Sequence, residues 1–396
     1  MASRTAETAV FLWGDRYAPA SVTVDAAKAA AASDAVDGLA MSDQLVNFIP
    51  PSLWTPENTP LAGVLPDPDS MDDAFTLAAY VYASTPGKNL ALLTDSIRNG
   101  PAQLVHQMLT LAKITEGRAT FLVGGGEVKQ CNPFGWKRSQ GLSRLEDLYQ
   151  IFTKLMNNDG PVSHEGNHWN LDKAFLGGAK QYRPKLWGLG GGPKILDLST
   201  TYADGFAGAA PCVWATPEEA AEYISKLKKD VAAKGRDPEQ FRVGAFCPVL
   251  VHEDEAVLDR ALDNNLVRWI GAIFGRTQPS EWRSSGVEPA VPDGWTYFMK
   301  MKPHDTPVAF ADEVVGKATR KMTELAYIWG NAQQVAAQLQ AYVDAGVDWV
   351  SPVDYLPVIS DPTEGSESLI RSIDICSILK RVETPTGERV GVASRD

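Results

Sequence analysis

Eight short β-branched or apolar runs alternate along this chain with helical stretches, and that alternation limits the fold more than any other feature. The runs fall at 10–13, 36–40, 90–94, 119–124, 185–189, 205–208, 243–251 and 349–353. Helical patterns lie between them at 24–32, 71–83, 101–115, 143–156, 193–202 and 217–233. Pro101, Pro193 and Pro217 stand near helix starts, where a missing N–H leaves no acceptor unpaired, and Lys234-Gly235 supplies a helix stop. Repeated strand–helix units require a parallel sheet covered by helices. An open doubly wound sheet is one solution, with the turn at 190–192 as its phosphate loop. Eight units favour the other, a closed (β/α)₈ barrel.

Three segments break the repeat and read as insertions on a single barrel spanning 1–385. The segment 46–68 is rich in proline and asparagine, 159–178 reads as a hairpin, and 270–317 carries Trp282, Trp295, Tyr297 and Phe298 among prolines. Long loops in compact domains are usually lids or binding loops. Residues 386–396 read as a frayed tail. The net charge of −12 argues against nucleic acid or an anionic membrane as partner, since both need a basic face. No apolar run reaches the length of a membrane span, and Met1-Ala-Ser-Arg-Thr-Ala-Glu has no signal-peptide core. Cys131, Cys212, Cys247 and Cys376 are scattered without metal spacing, as reduced thiols of a cytoplasmic protein would be.

Chemistry in such a fold belongs at the carboxyl ends of the strands. The fourth run ends in Gly124-Gly-Gly-Glu127. Glycines there let a planar ligand approach the backbone at Gly125 and Gly126, and the Glu127 carboxylate can move protons, so Glu127 is the first catalytic candidate. Asp43 and Gln44 follow the second run and suit a heterocycle edge or a carbonyl, with a loop-capping aspartate as the plain alternative. Gly190, Gly191, Gly192 and Pro193 follow the fifth run and open a helix; this pattern suits a phosphate or simply a tight turn. His164 and His168 have helical metal spacing, but Pro161 and Gly166 place them in a hairpin, and no metal site is expected.

These residues also carry a resemblance. The run Leu111-Ala-Lys-Ile-Thr-Glu-Gly-Arg-Ala-Thr-Phe-Leu-Val-Gly-Gly-Gly-Glu, then Asn132-Pro-Phe-Gly and Arg144-Leu-Glu-Asp-Leu, resembles the bacterial luciferase-like superfamily. So do Gly166-Asn-His-Trp, Pro184-Lys-Leu-Trp-Gly-Leu-Gly-Gly-Gly-Pro, Tyr202-Ala-Asp-Gly and Gly235-Arg-Asp-Pro, in family order over roughly residues 9–380. The resemblance implies a (β/α)₈ (TIM) barrel that binds FMN or the deazaflavin coenzyme F420. Within the superfamily the chain is most similar to actinobacterial F420-dependent oxidoreductases, including sugar-phosphate dehydrogenases and phthiodiolone ketoreductase-like proteins.

By that resemblance Glu127 is the acid beside the deazaflavin and Asp43 a cofactor contact. Gln44 replaces the histidine usual there, and an amide hydrogen-bonds but exchanges no proton near neutral pH. A strand-three bulge, often with a non-proline cis peptide, falls on Ala91-Leu92. The phosphate loop falls on Gly190, Gly191, Gly192 and Pro193. The sugar-phosphate enzymes hold their substrate with a threonine and a lysine after strand six; Gly208-Ala-Ala-Pro-Cys-Val-Trp214 has neither. That segment suits an apolar substrate, with Trp13, Phe48, Trp214 and Trp282 as its expected wall. The reading is therefore an F420-dependent oxidoreductase acting on a carbonyl or activated alkene, expected as a homodimer by analogy. An FMN-dependent monooxygenase is the alternative, and a flavin carrier without turnover is a third possibility.

Overall fold

In the computed structural model, which describes residues 4–381, eleven strands form two sheets. They are β1 (Glu7–Phe11), β2 (Gly38–Ser42), β3 (Asn89–Asp95), β4 (Ala119–Gly124), β5 (Val162–Glu165), β6 (Asn170–Ala174), β7 (Lys185–Leu189), β8 (Gly205–Ala209), β9 (Arg242–Val251), β10 (Ile328–Gly330) and β11 (Trp349–Asp354). Eight close a parallel barrel in the order β1-β2-β3-β4-β7-β8-β9-β11, with β11 pairing back to β1. These are the eight strands expected from the sequence. The short β10 pairs beside the far end of β9, outside the ring.

Helices Ala20–Ala31, Ala74–Tyr82, Pro101–Ile114, Gly141–Asn157, Pro193–Tyr202, Pro217–Ala233, Ala332–Asp344 and Glu364–Lys380 follow successive barrel strands. The last two were not singled out in the sequence, although Asn331 and Gln334 form a reciprocal capping box at the start of one. Segment 270–317 is largely helical. It begins inside the helix Asn265–Phe274 and contains Pro279–Ser284, Tyr297–Lys300 and Val308–Lys317. These helices are short and interrupted by prolines, so their period is hard to see. The segment makes up much of a second core over the barrel, together with Phe48, Leu53 and Tyr355.

Inside the barrel, small residues make room for large ones. Ala9, Ala40, Ala91 and Ala207 share the interior with Leu93, Leu122, Trp187 and Trp349. The two indoles meet edge to face with centroids 6.4 Å apart. A Cβ at Gly244 would lie 2.8 Å from Trp187 and 2.9 Å from Trp349, so only glycine admits both rings. Truncating either tryptophan would cost about 3–5 kcal/mol.

The bulge expected at Ala91-Leu92 is absent. β3 keeps an unbroken parallel register with β2 from Gly38↔Asn89 to Ser42↔Leu93 and with β4 from Leu90↔Ala119 to Asp95↔Gly124. Ala91 faces the packed interior and Leu92 the helix-side core, so both faces are filled and the ladder is satisfied on both edges. Among the described residues the only cis peptide is Ala210-Pro211.

The hairpin expected at 159–178 is β5 paired antiparallel with β6. Asp147 pins it: the carboxylate accepts from the Asn167 amide N–H and Nδ2 at 2.8 Å each, and from the His168 N–H at 2.6 Å. Burial alone would raise this acid, but the hydrogen bonds outweigh it and hold it below the usual carboxylate range. His168 bonds Ser143 at 2.7 Å, and His164 is buried within the hairpin. The tail expected at 386–396 lies outside the described residues. No helix among the described residues is long and apolar enough to cross a membrane.

Candidate active site

The top of β4 sets the geometry. Gly126 has φ of +75°, and a Cβ there would lie 2.9 Å from the Ile97 side chain. The turn this allows leads into the short helix Val128–Cys131, with Glu127 in extended backbone at its start. The Glu127 side chain keeps about a quarter of its surface, 24 %, open to solvent.

Lys129, two residues on, is fully buried. Its Nζ lies 3.1 Å from Glu127 Oε2, donates to Gln44 Oε1 at 3.1 Å and to the Val46 carbonyl at 2.7 Å, and sits 4.2 Å above the Phe48 ring. Burial pulls the Lys129 pKa down, and the Glu127 charge pushes it back. Gln130 completes the clasp, accepting from the Leu45 N–H at 2.6 Å and donating to the Val46 carbonyl at 3.0 Å. The loop after β2 is thus fastened to the helix after β4, and Gln44 and Glu127 come together through one lysine.

Asp43 is held differently. Its Oδ2 accepts from Thr94 Oγ1 at 2.7 Å and from Arg98 at 2.8 Å, and Arg98 also reaches the Asp43 carbonyl at 2.7 Å. Arg98 simultaneously pairs with Asp95 at the end of β3. Burial raises the Asp43 carboxyl, while Arg98 and Thr94 draw it back. With both oxygens engaged, Asp43 has little capacity left for a ligand. Its network ties the tops of β2 and β3 together.

Phe48 packs against Phe274 and Tyr297, with ring centroids at 5.8 Å and 6.2 Å. The phenols of Tyr297 and Tyr355 are pushed up by burial and further by the Glu127 charge, which puts both within its electrostatic reach. Trp13 lies beyond the end of β1, 41 % exposed, with its ring 4.7 Å from Phe11. Two expected wall residues turn out otherwise. Trp214 is buried on the helix side of the barrel against Phe206 and Tyr223, and its carbonyl accepts from the Tyr342 hydroxyl at 3.1 Å. Trp282 is buried in the second core, 4.8 Å from the Arg276 guanidinium. Each indole gains more by filling a core than by facing a mouth, so neither offers surface to a substrate.

At the end of β7, Gly190 has φ of +131° and its N–H bonds the Ala207 carbonyl at 3.2 Å. Gly192 precedes the helix Pro193–Tyr202, whose first-turn N–H groups have no intrahelical acceptors. A Cβ at Gly192 would meet nothing within 4 Å, whereas one at Gly191 would press on Val213 at 3.2 Å. The loop leaves open space in front of a helix start. Sequence reasoning missed Lys129, Arg98 and Tyr355. Only Lys129, two residues beyond Glu127, carried any local hint, and nothing nearby announces that it is buried.

Residues 52–349 match the sequence profile of the family described as luciferase-like monooxygenase. A phthiodiolone/phenolphthiodiolone dimycocerosates ketoreductase of Mycobacterium sp. (strain JLS) is 27 % identical over 248 residues, 61 % of this chain and 64 % of that protein. The match therefore spans less than two thirds of that relative's length. Among solved structures, an F420-dependent secondary alcohol dehydrogenase with an F420-acetone adduct superposes with a TM-score of 0.71 at 18 % identity, over 96 % of this chain and 100 % of that one. A riboflavin lyase with modified FMN and riboflavin superposes with a TM-score of 0.61 at 16 % identity, over 96 % and 92 %. These two likenesses are of fold, and their ligands include both a deazaflavin and a flavin. With the profile covering well over half of its length, the chain belongs to the luciferase-like monooxygenase family.

Proposed function

We propose that this protein is an F420-dependent oxidoreductase moving a hydride between deazaflavin C5 and a carbonyl or activated alkene of a largely apolar substrate. The observation that carries the reading is Glu127, a partly open carboxylate held at the barrel mouth by the Gly126 turn and backed by a buried ammonium. The likeness to ketoreductases and to an F420-dependent dehydrogenase adds support.

The residues present fit a phosphate-bearing cofactor. The open space at Gly192, in front of free N–H groups at a helix start, suits a phosphate. When bound, the deazaflavin supplies or accepts the hydride. Glu127 gives or takes the accompanying proton at the substrate oxygen. Gln44, fixed by Lys129 and by Ser42 at 3.2 Å, orients a polar edge without exchanging protons. Lys129 Nζ backs Glu127 from beneath, and the rings of Phe48 and Tyr297 cover that side against water.

The family description and the FMN-bearing structural relative favour one second reading, an FMN-dependent monooxygenase. Oxygen separates the two. Anaerobic oxidation of reduced F420 by a panel of apolar ketones supports the first reading. Substrate-dependent oxygen uptake with reduced FMN, and none of the former, supports the second.

A further inference from the structure

Beside Glu127, a cavity of about 370 Å³ is lined by Val128, Asn132, Trp136, Lys137, Arg138 and Met299, among others. Its chemistry differs from the rest of the mouth. The Arg138 backbone N–H is held by Asn132 Oδ1 at 3.0 Å. The guanidinium lies against the bare backbones of Gly125 and Gly141, its terminal nitrogens 3.7 Å and 2.8 Å from where their Cβ atoms would be. Yet no hydrogen bond or ion pair joins that guanidinium to another described residue, although the charges of Glu127 and Asp95 reach it through space, and its Nε, like those of Arg268, Arg276 and Arg371, is sealed from solvent without a partner.

The other largely buried arginines differ at their terminal nitrogens. Arg98 pairs with Asp43 and Asp95, Arg371 with Glu364, and Arg276 donates to the carbonyls of Pro211, Gly275 and Leu325. In a chain of net charge −12, a largely buried cation with no carboxylate in contact is unusual. Burying an unpaired charge is costly, and a ligand anion removes that cost. Lys137, on the cavity rim, adds a second positive charge of the same sign.

We infer that this cavity binds a carboxylate group of the substrate, with Arg138 as the anchoring residue and Trp136, Val128 and Met299 holding its apolar body. The guanidinium fork, with no carboxylate in contact, matches a planar carboxylate. Because the cavity adjoins Glu127 through Val128, such a grip would aim the rest of the molecule at the acid. This deepens the function proposed above and rests on it for the chemistry, but the anion site can be tested without turnover. The substrate class becomes an apolar carbonyl compound bearing a carboxylate.

The test is calorimetric titration of the whole protein with 4-phenylbutyrate and with its uncharged isostere 4-phenylbutyramide. The acid is expected to bind about tenfold more tightly or better, as a charge-assisted bond to a desolvated guanidinium should. Arg138→Gln should abolish that preference, and Arg138→Lys, the gentler change, should retain part of it. Equal binding of acid and amide by the wild-type protein overturns the inference, as does a preference that survives Arg138→Gln. Saturating F420 should leave the acid's binding in place; competition between them would assign the anion to the cofactor and overturn the substrate assignment. A protein that binds no F420 at all would refute the functional reading, while the acid–amide comparison would still decide the anion site.

Discussion

Nζ of Lys129 lies 3.1 Å from Oε2 of Glu127, and the lysine has no surface open to water. A buried ammonium is tolerated only when its donors are used, and here they meet Glu127, Gln44 Oε1 and the Val46 carbonyl. The pair therefore joins two barrel strands and holds the candidate proton carrier in one place. Removing either partner leaves the other without its counterpart.

Glu127→Gln is expected to keep cofactor affinity within a small factor and to lower turnover by roughly 10²- to 10⁴-fold, the usual worth of a positioned acid or base. The amide has the carboxylate's shape and still accepts from Lys129. It cannot carry the proton, and neither can Gln44. Stopped-flow oxidation of reduced deazaflavin measures the step, and turnover at the wild-type rate would reduce Glu127 to a loop acid.

Lys129→Met should destabilise the fold by roughly 1–3 kcal/mol, because Gln44 Oε1 loses its lysine donor and the Val46 carbonyl is left with Gln130 alone. In a double-mutant cycle with Glu127→Gln, the two changes should couple by more than about 0.5 kcal/mol. Denaturant melts of the four proteins give the coupling. Simple additivity would mean the ion pair contributes nothing.

Gly192→Val is the cleanest probe of the phosphate loop. Its backbone has φ of −78°, open to any residue, and its Cβ would meet no protein atom within 4 Å. Stability should therefore fall by only about 1 kcal/mol, the order of a changed helix cap. Cofactor affinity should fall by an order of magnitude or more, since the side chain would fill the space in front of the helix start. Gly191 is the poorer choice, because a side chain there would crowd Val213. Unchanged cofactor binding in Gly192→Val would move the phosphate elsewhere.

Asp354, at the end of β11, is pushed up to about 6 by burial, even though the Leu356 N–H, Ser368 and Arg371 pull it down. A raised carboxyl favours the folded state when protonated. Its contribution is full below the unfolded value near 3.8 and is lost as pH rises through about 6. Asp354→Asn keeps an acceptor for Leu356 and cannot ionise. It should be more stable than wild type at pH 7 by roughly 1–3 kcal/mol, with the difference shrinking toward pH 4. Thermal melts across that range check it; a constant difference would mean that Asp354 does not titrate there.

The barrel was legible because a period of two followed by a helical period, repeated eight times, has few solutions. The place of Glu127 just past the end of β4 was legible because Gly-Gly-Gly before an acid is an unusual way to end a strand. Lys129 was not, because its burial is decided by Gln44, Val46 and Phe48, which are distant in sequence and meet it only in the fold. Trp214 reads as substrate wall from its place after the sixth strand, and Trp282 from its place in the insertion at 270–317. The direction in which a loop side chain turns depends on competing cores, and both indoles went into them. The bulge at Ala91-Leu92 came from resemblance alone, and the local packing of β3 leaves no reason for it.

The most direct measurement is titration of the protein's intrinsic tryptophan fluorescence with F420 and, separately, with FMN. The account predicts that F420 binds more tightly than FMN and that Gly192→Val weakens it. Micromolar binding of FMN with no detectable binding of F420 would contradict the account and make the protein a flavin monooxygenase.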